Sequence, residues 1–374
     1  MGPCRSDHCR WSGELKSLSV FDAVYTTRAR PAICRSGDSS EQKDTMKSFN
    51  RQGEGTADSK NIERKPAPGA SSSKWTVRAS FIGPQGIRFG WSMLIFIVIL
   101  MVGVLATRVP VNFLLHSMKR NPSLDAWSPV VAAGILALLV LVATAIMAKI
   151  ENRPVLSYGF IDKHRLSRFV LGIAGGVAAL SALVLALKMS GWLIFDGRAL
   201  HGKSAWSYGL LWGLAFLLTA LFEESLLRGY LQSTLTRGVG FWWAAVLLSL
   251  AFGATHLPNR GESPIGIFSV VGAGLLFCLS LWLTKSLYWA VGLHAGWDWS
   301  QSYLFGVPDS GQVASGHLFA THPSGGLIWS GGPTGPEGSI YAIPTMAIIA
   351  LAVWIAWSRS ERLKEPAVIL TTRP

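Results

Sequence analysis

WSYGLLWGLAFLLTALFEESLLR, residues 206–228, opens as an uncharged apolar run and closes on two adjacent acids and an arginine. A bilayer's hydrocarbon core is about 30 Å thick, and a helix needs about 20 apolar residues to cross it. Trp206 to Phe222 is such a run, and Tyr230, Leu231 and Leu235 carry the pattern on to about Thr236. That extension places Glu223, Glu224 and Arg228 inside the membrane rather than at its rim. Seven further apolar runs stand on either side: Trp91 to Ala106, Val130 to Met147, Phe169 to Leu187, Phe241 to Ala254, Ile265 to Leu283, Tyr288 to Phe305 and Ile340 to Trp357. The predicted fold is all-α, a polytopic transmembrane helix bundle of about eight spans. Several runs are shorter than about 20 residues, so the range is seven to eight. Composition agrees: 50% of the 374 residues are hydrophobic and only 15% charged, where a soluble domain carries about a quarter.

The formal net charge of +13 could point to nucleic acid, but its distribution argues against that partner. Basic residues gather in the first eighty positions and beside span ends, where they set orientation. The basic tail up to Arg88, the loop with Lys149, Arg153, Lys163, Arg165 and Arg168, and the end with Arg359, Arg362 and Lys364 are expected in the cytoplasm. Gly306 to Ser339 has no Lys or Arg and is expected outside. Arg108, Lys119 and Arg120 are the discordant loop. Both termini are thus expected inside. Trp91, Trp127, Trp206, Trp242, Trp243, Trp289 and Trp357 fall near span ends, as interfacial anchors do.

Residues 1–80 read as a disordered basic cytoplasmic tail, 81–360 as the helical bundle, and 361–374 as a cytoplasmic C-terminal tail. No secretory signal opens the chain, and Met46 is a second candidate start. Cys4, Cys9, Cys34 and Cys278 have no zinc-ribbon spacing and are read as ordinary thiols, Cys4–His8–Cys9 included.

An ionisable side chain within a span costs several kcal/mol unless paired or hydrated. Glu224 and Arg228 lie four apart on one face, acid first, and read as a neutralised pair. Glu223 sits about 100° round the helix and reads as the available base. Phe252-Gly-Ala-Thr-His256 puts a ring and an imidazole on one face of the next span, with Gly253 and Ala254 permitting close helix approach. His294-Ala-Gly-Trp-Asp298 does likewise two spans on. Each feature also suits a merely structural role. Together, in segments otherwise almost free of charge, they are most simply one shared polar site.

Such groups suit the activation of water against an amide. A carboxylate beside an imidazole can take the proton of water, and further donors can stabilise the oxyanion. The set Glu223, His256 and His294 could instead hold zinc. HExxH and GxSxG are both absent, so the residues leave metal-assisted and metal-free routes open.

EESLLR (223–228), FGATH (252–256) and HAGWD (294–298) resemble the EExxxR, FxxxH and HxxxN/D motifs of the CPBP family, the intramembrane metalloproteases that include type II CAAX prenyl proteases and the bacterial Abi proteins. The resemblance covers about residues 150–305, the expected peptidase core. It implies an intramembrane endopeptidase in which Glu223 and His256 activate water while His294 and Asp298 form the oxyanion site or bind metal. Glu224 and Arg228 match the motif's second Glu and its Arg, and Phe252 its Phe. Asp298 is the acidic alternative to Asn; a charged Asp cannot donate to an oxyanion, so it must be protonated or orient His294.

Family substrates imply a peptide or protein partner, in eukaryotes a lipid-anchored one. The compact loops suggest a bacterial plasma membrane, which weakens the case for a prenylated substrate. A proton-coupled transporter is the alternative from another class, and a non-catalytic immunity or scaffold protein a third. No second copy of the motif region supports the transporter.

Overall fold

The structure is a computed structural model that describes residues 81–83, 86–120, 126–259 and 261–362. The expected disordered tail, with Cys4, His8, Cys9, Cys34 and Met46, lies outside the described residues, as does nearly all of the expected C-terminal tail.

After a two-stranded ribbon, β1 (Ile82–Gly83) and β2 (Gly86–Ile87), helices dominate. They are α1 (Phe89–Lys119), α2 (Ser128–Ile150), α3 (Arg165–Met189), α4 (Gly202–Glu224), α5 (Gln232–Val239), α6 (Phe241–His256), α7 (Pro264–Thr284), α8 (Tyr288–Trp299), the single turn α9 (Leu327–Ser330) and α10 (Ala342–Arg362). A π-helical segment, Ser225–Leu231, joins α4 to α5 without a break, and a second, Ser300–Leu304, extends α8. All eight apolar runs are therefore helices. Five elements are long and apolar enough to cross a bilayer, Gly202–Val239 being the longest at 38 residues. The chain is an integral membrane protein of the all-α class.

The length of the α4–α5 element brings Glu223 and His256 to one level. The chain reverses at Gly240, whose φ of 85° only glycine adopts without strain. Glu223 lies sixteen residues before the end of α5 at Val239, and His256 fifteen after the start of α6 at Phe241. At 1.5 Å per residue these are roughly 24 and 22 Å along antiparallel helices. The two side chains therefore share a depth.

Helix α8 is fixed by glycines. A Cβ on Gly172 or Gly176 of α3 would strike the carbonyl oxygens of Trp289 or Leu293, and one on Gly292 or Gly296 of α8 those of Phe169 or Ile173. Two facing Gly-x3-Gly pairs thus bring backbone onto backbone, the contact that lipid-embedded helices use in place of a hydrophobic drive. His294 and Asp298 ride on the helix so located.

The loop before α10 is built, not slack. β3 (Leu193–Arg198) pairs antiparallel with β4 (Phe319–Pro323), with a register shift between Phe195 and Gly197. This hairpin caps the end of the bundle where α4, α7 and α10 begin. Among the tryptophans, Trp206 and Trp243 are exposed as interfacial anchors should be. Trp289 is not. It is buried, edge-on to Trp357 at 5.8 Å, because α8 lies inside the bundle.

Candidate active site

Glu223 and Glu224 occupy the last turn of α4, just before the helix widens to π geometry. Such widening re-aims successive side chains and is frequent at functional sites. The two acids then have different surroundings. Glu224 is fully buried, and its Oε1 accepts from Arg228 Nη1 at 3.0 Å and lies 3.1 Å from His294 Nδ1. Glu223 reaches no partner so close: its Oε2 is 3.7 Å from His294 Nε2, beyond a hydrogen bond. The expected Glu224–Arg228 pair is present as read from the spacing.

Arg228 explains the motif's phenylalanine. Its guanidinium carbon lies 4.8 Å from the ring centre of Phe252 and 5.2 Å from that of Phe277. Aromatic faces stabilise a desolvated cation by about 2 kcal/mol. Gly274 leaves the room: a Cβ there would come 2.8 Å from Arg228 Nη2. Phe252 also meets His256 edge-on at 4.8 Å.

The two imidazoles have assigned faces. His256 Nδ1 is 2.9 Å from the Phe252 carbonyl. A carbonyl only accepts, so Nδ1 carries a hydrogen and Nε2 is the nitrogen left to the cavity. His294 Nδ1 likewise donates to Glu224. Its Nε2 stands 3.4 Å from Asp298 Oδ2 and 3.7 Å from Glu223 Oε2, a contact that attracts when a proton lies between ring and acid. Phe277 stacks on His294 at 5.2 Å and 18°. Asp298 therefore sits beside the Nε2 edge of His294.

Glu223, Phe252, His256, His294 and Asp298 line one cavity of about 380 Å³, within the range of small-ligand sites. Glu224 and Arg228 lie behind its wall. The three motifs thus converge. Zinc is a poorer fit: among the described residues no three His, Cys, Asp or Glu side chains are grouped so as to hold a metal ion.

Two lining residues escape the motif reading. Asp309 and Glu337 come from the loop between α8 and α10 and border the same cavity. A signal for them exists: they are the sole acids of residues 306–339, a stretch without Lys or Arg. Phe277, Trp212 and Phe216, which supply apolar and aromatic wall, have no comparable signature.

Residues 205–300 match the family described as Rce1-like, type II CAAX prenyl endopeptidase. The matched stretch is roughly a quarter of the chain and contains all three motifs. It runs from the first turn of α4 to the end of α8, the portion that builds the motif side of the cavity. No curated protein matches the chain.

Proposed function

We propose, from the similarity of residues 205–300 to type II CAAX prenyl endopeptidases, that this protein is an intramembrane endopeptidase in which Glu223 and His256 activate water. One observation carries the reading: Glu223 and its neighbour Glu224 face the same imidazole, but only Glu224 is neutralised by an arginine. Glu223 keeps an oxygen free to take a proton from water. His256, with Nδ1 committed to Phe252, offers Nε2 on the same cavity. The hydroxide attacks the amide carbonyl. His294, held at Nδ1 by Glu224, turns Nε2 to the cavity, where its N–H can leave Asp298, 3.4 Å away, to donate to the oxyanion as it forms. Glu223 then returns its proton to the leaving amine.

The orientation follows the basic residues. Arg88, Lys149, Arg153, Lys163, Arg165, Arg168, Arg237 and Lys285 lie at the end of the bundle away from the β3–β4 hairpin, against Arg108, Arg120, Lys188, Arg198 and Lys203 toward the hairpin end. That end is assigned to the cytoplasm, and both termini with it.

The test is Glu223→Gln in lipid nanodiscs, against internally quenched peptides that include a farnesylated CAAX peptide. Cleavage is expected to fall by about 10²–10⁴-fold, the usual contribution of a general base, while thermal unfolding stays unchanged. An undiminished rate would remove Glu223 as the base.

A further inference from the structure

The loop acids have no part in the reaction just described, yet they face the same cavity. Glu337 is about nine-tenths buried. Its Oε1 accepts from Ser310 N at 2.7 Å and Ser310 Oγ at 3.2 Å, and its other oxygen accepts no hydrogen bond among the described residues. Asp309 Oδ2 accepts from Ser302 Oγ at 2.8 Å. Neither acid forms an ion pair with any described residue.

The charge balance of the cavity is one-sided. Among the described residues four carboxylates line it, from Glu223, Asp298, Asp309 and Glu337, against two imidazoles and no Lys or Arg. Arg228 cannot correct this, since it is buried behind the wall on Glu224. Burial pushes the Asp309 carboxyl up to about 6 and that of Glu337 well above the usual carboxylate range. A buried acid without a counter-charge is costly to ionise, and a cation brought beside it recovers that cost.

We propose that Asp309 and Glu337 form a cation subsite of this cavity, so that the enzyme takes peptides carrying a Lys or Arg side chain or an α-ammonium close to the scissile bond and disfavours a free C-terminal carboxylate there. The proposal rests on the peptidase reading for what becomes of the bound peptide, but the binding preference is independent of hydrolysis. A terminal carboxylate, the end a CAAX sequence presents, would be buried among carboxyls with no Lys or Arg among the described lining residues to neutralise it, and an uncompensated charge selects against a partner. The apolar wall of Trp212, Phe216 and Val270 accepts the flanking aliphatic residues.

The experiment is equilibrium binding of fluorescent hexapeptides to full-length Glu223→Gln protein in nanodiscs, read by anisotropy. The peptides differ at one position, Lys, norleucine or Glu, and each is made with an amide or a free carboxylate end. Lys is expected to bind about tenfold tighter than norleucine, the size of one desolvated charge contact worth about 1.4 kcal/mol. Glu and the free carboxylate are expected to bind more weakly still. Asp309→Asn, which retains an acceptor for Ser302, should reduce the Lys preference severalfold, and adding Glu337→Gln should abolish it. Equal binding of all peptides, no binding of any at millimolar concentration, or a Lys preference that survives the double variant would overturn the subsite. If the preference appears in Glu223→Gln but wild-type protein cleaves none of the peptides, the peptidase reading falls and the cation subsite stands.

Discussion

Glu151 and Glu223 are both acids held against membrane helices, and the protein treats them oppositely. Glu151 closes α2 with three donors on its carboxylate: Oε1 accepts from Arg237 Nη2 at 2.9 Å and Tyr230 Oη at 3.0 Å, and Oε2 from Tyr158 Oη at 3.0 Å. Burial alone would push its carboxyl up, but the Arg237 guanidinium and these donors outweigh that and hold it below the usual range. Glu223 has the neighbouring imidazole at 3.7 Å and no arginine of its own. An acid whose bonds are complete ties elements together, here α2, the α2–α3 loop and α5. An acid left incomplete at a cavity is available for chemistry.

The comparison is broken most severely by exchanging the outcomes. Glu223→Gln should stop cleavage and spare the fold, whereas Glu151→Gln should spare cleavage and weaken the fold. If Glu151→Gln abolished cleavage at unchanged stability, the division between completed and incomplete acids would be lost.

Arg228→Met comes next in size. It leaves Glu224 buried beside His294 without its cation, and removing one member of a buried pair costs about 3–5 kcal/mol. Thermal unfolding in detergent, followed by tryptophan fluorescence, should show a large drop, with activity lost alongside. A stable, active Arg228→Met would mean that Glu224 needs no arginine.

Gly176→Val tests whether the close α3–α8 contact places the site. The added side chain meets the Leu293 carbonyl, and overpacking of this kind typically costs about 1–3 kcal/mol. Cleavage should fall more than stability, because His294 and Asp298 move with α8. Full activity would show that the helix yields without disturbing them.

The smallest effect sharpens the contrast through pH. Because the folded Glu151 carboxyl is held below its unfolded value, its contribution to stability is present above the ordinary carboxylate pKa and disappears as pH falls through the lower, folded one. Glu151→Gln should therefore lose about 1–3 kcal/mol near neutrality, and the gap from wild type should close on acidification below the carboxylate range. A gap that is constant with pH would assign the loss to packing.

Much of this was legible in the chain itself. Eight apolar runs require eight helices, because lipid offers the backbone no hydrogen-bond partner and each span must satisfy its own. The Glu224–Arg228 pair was legible for a similar reason: four residues on a helix bring two side chains together whatever surrounds them. The three motifs named the side chains of one site. Trp289 was misread as an interfacial anchor because nearness to a run's end does not tell an inner helix from an outer one.

What the tertiary structure decided were relations between helices and loops. That Glu223 and His256 share a depth depended on how the hairpin at Gly240 packs the two helices and on the π segment after α4; the apolar pattern marks the continuation to about Thr236 but not the π geometry or the pairing. That His294 touches Glu224 depended on backbone contact across four glycines of α3 and α8. Asp309 and Glu337 reach the cavity only because the loop folds back under the β3–β4 hairpin. Local periodicity follows from bonds a few residues apart, whereas each of these contacts joins residues brought together by packing, and no pattern along the chain encodes their distance.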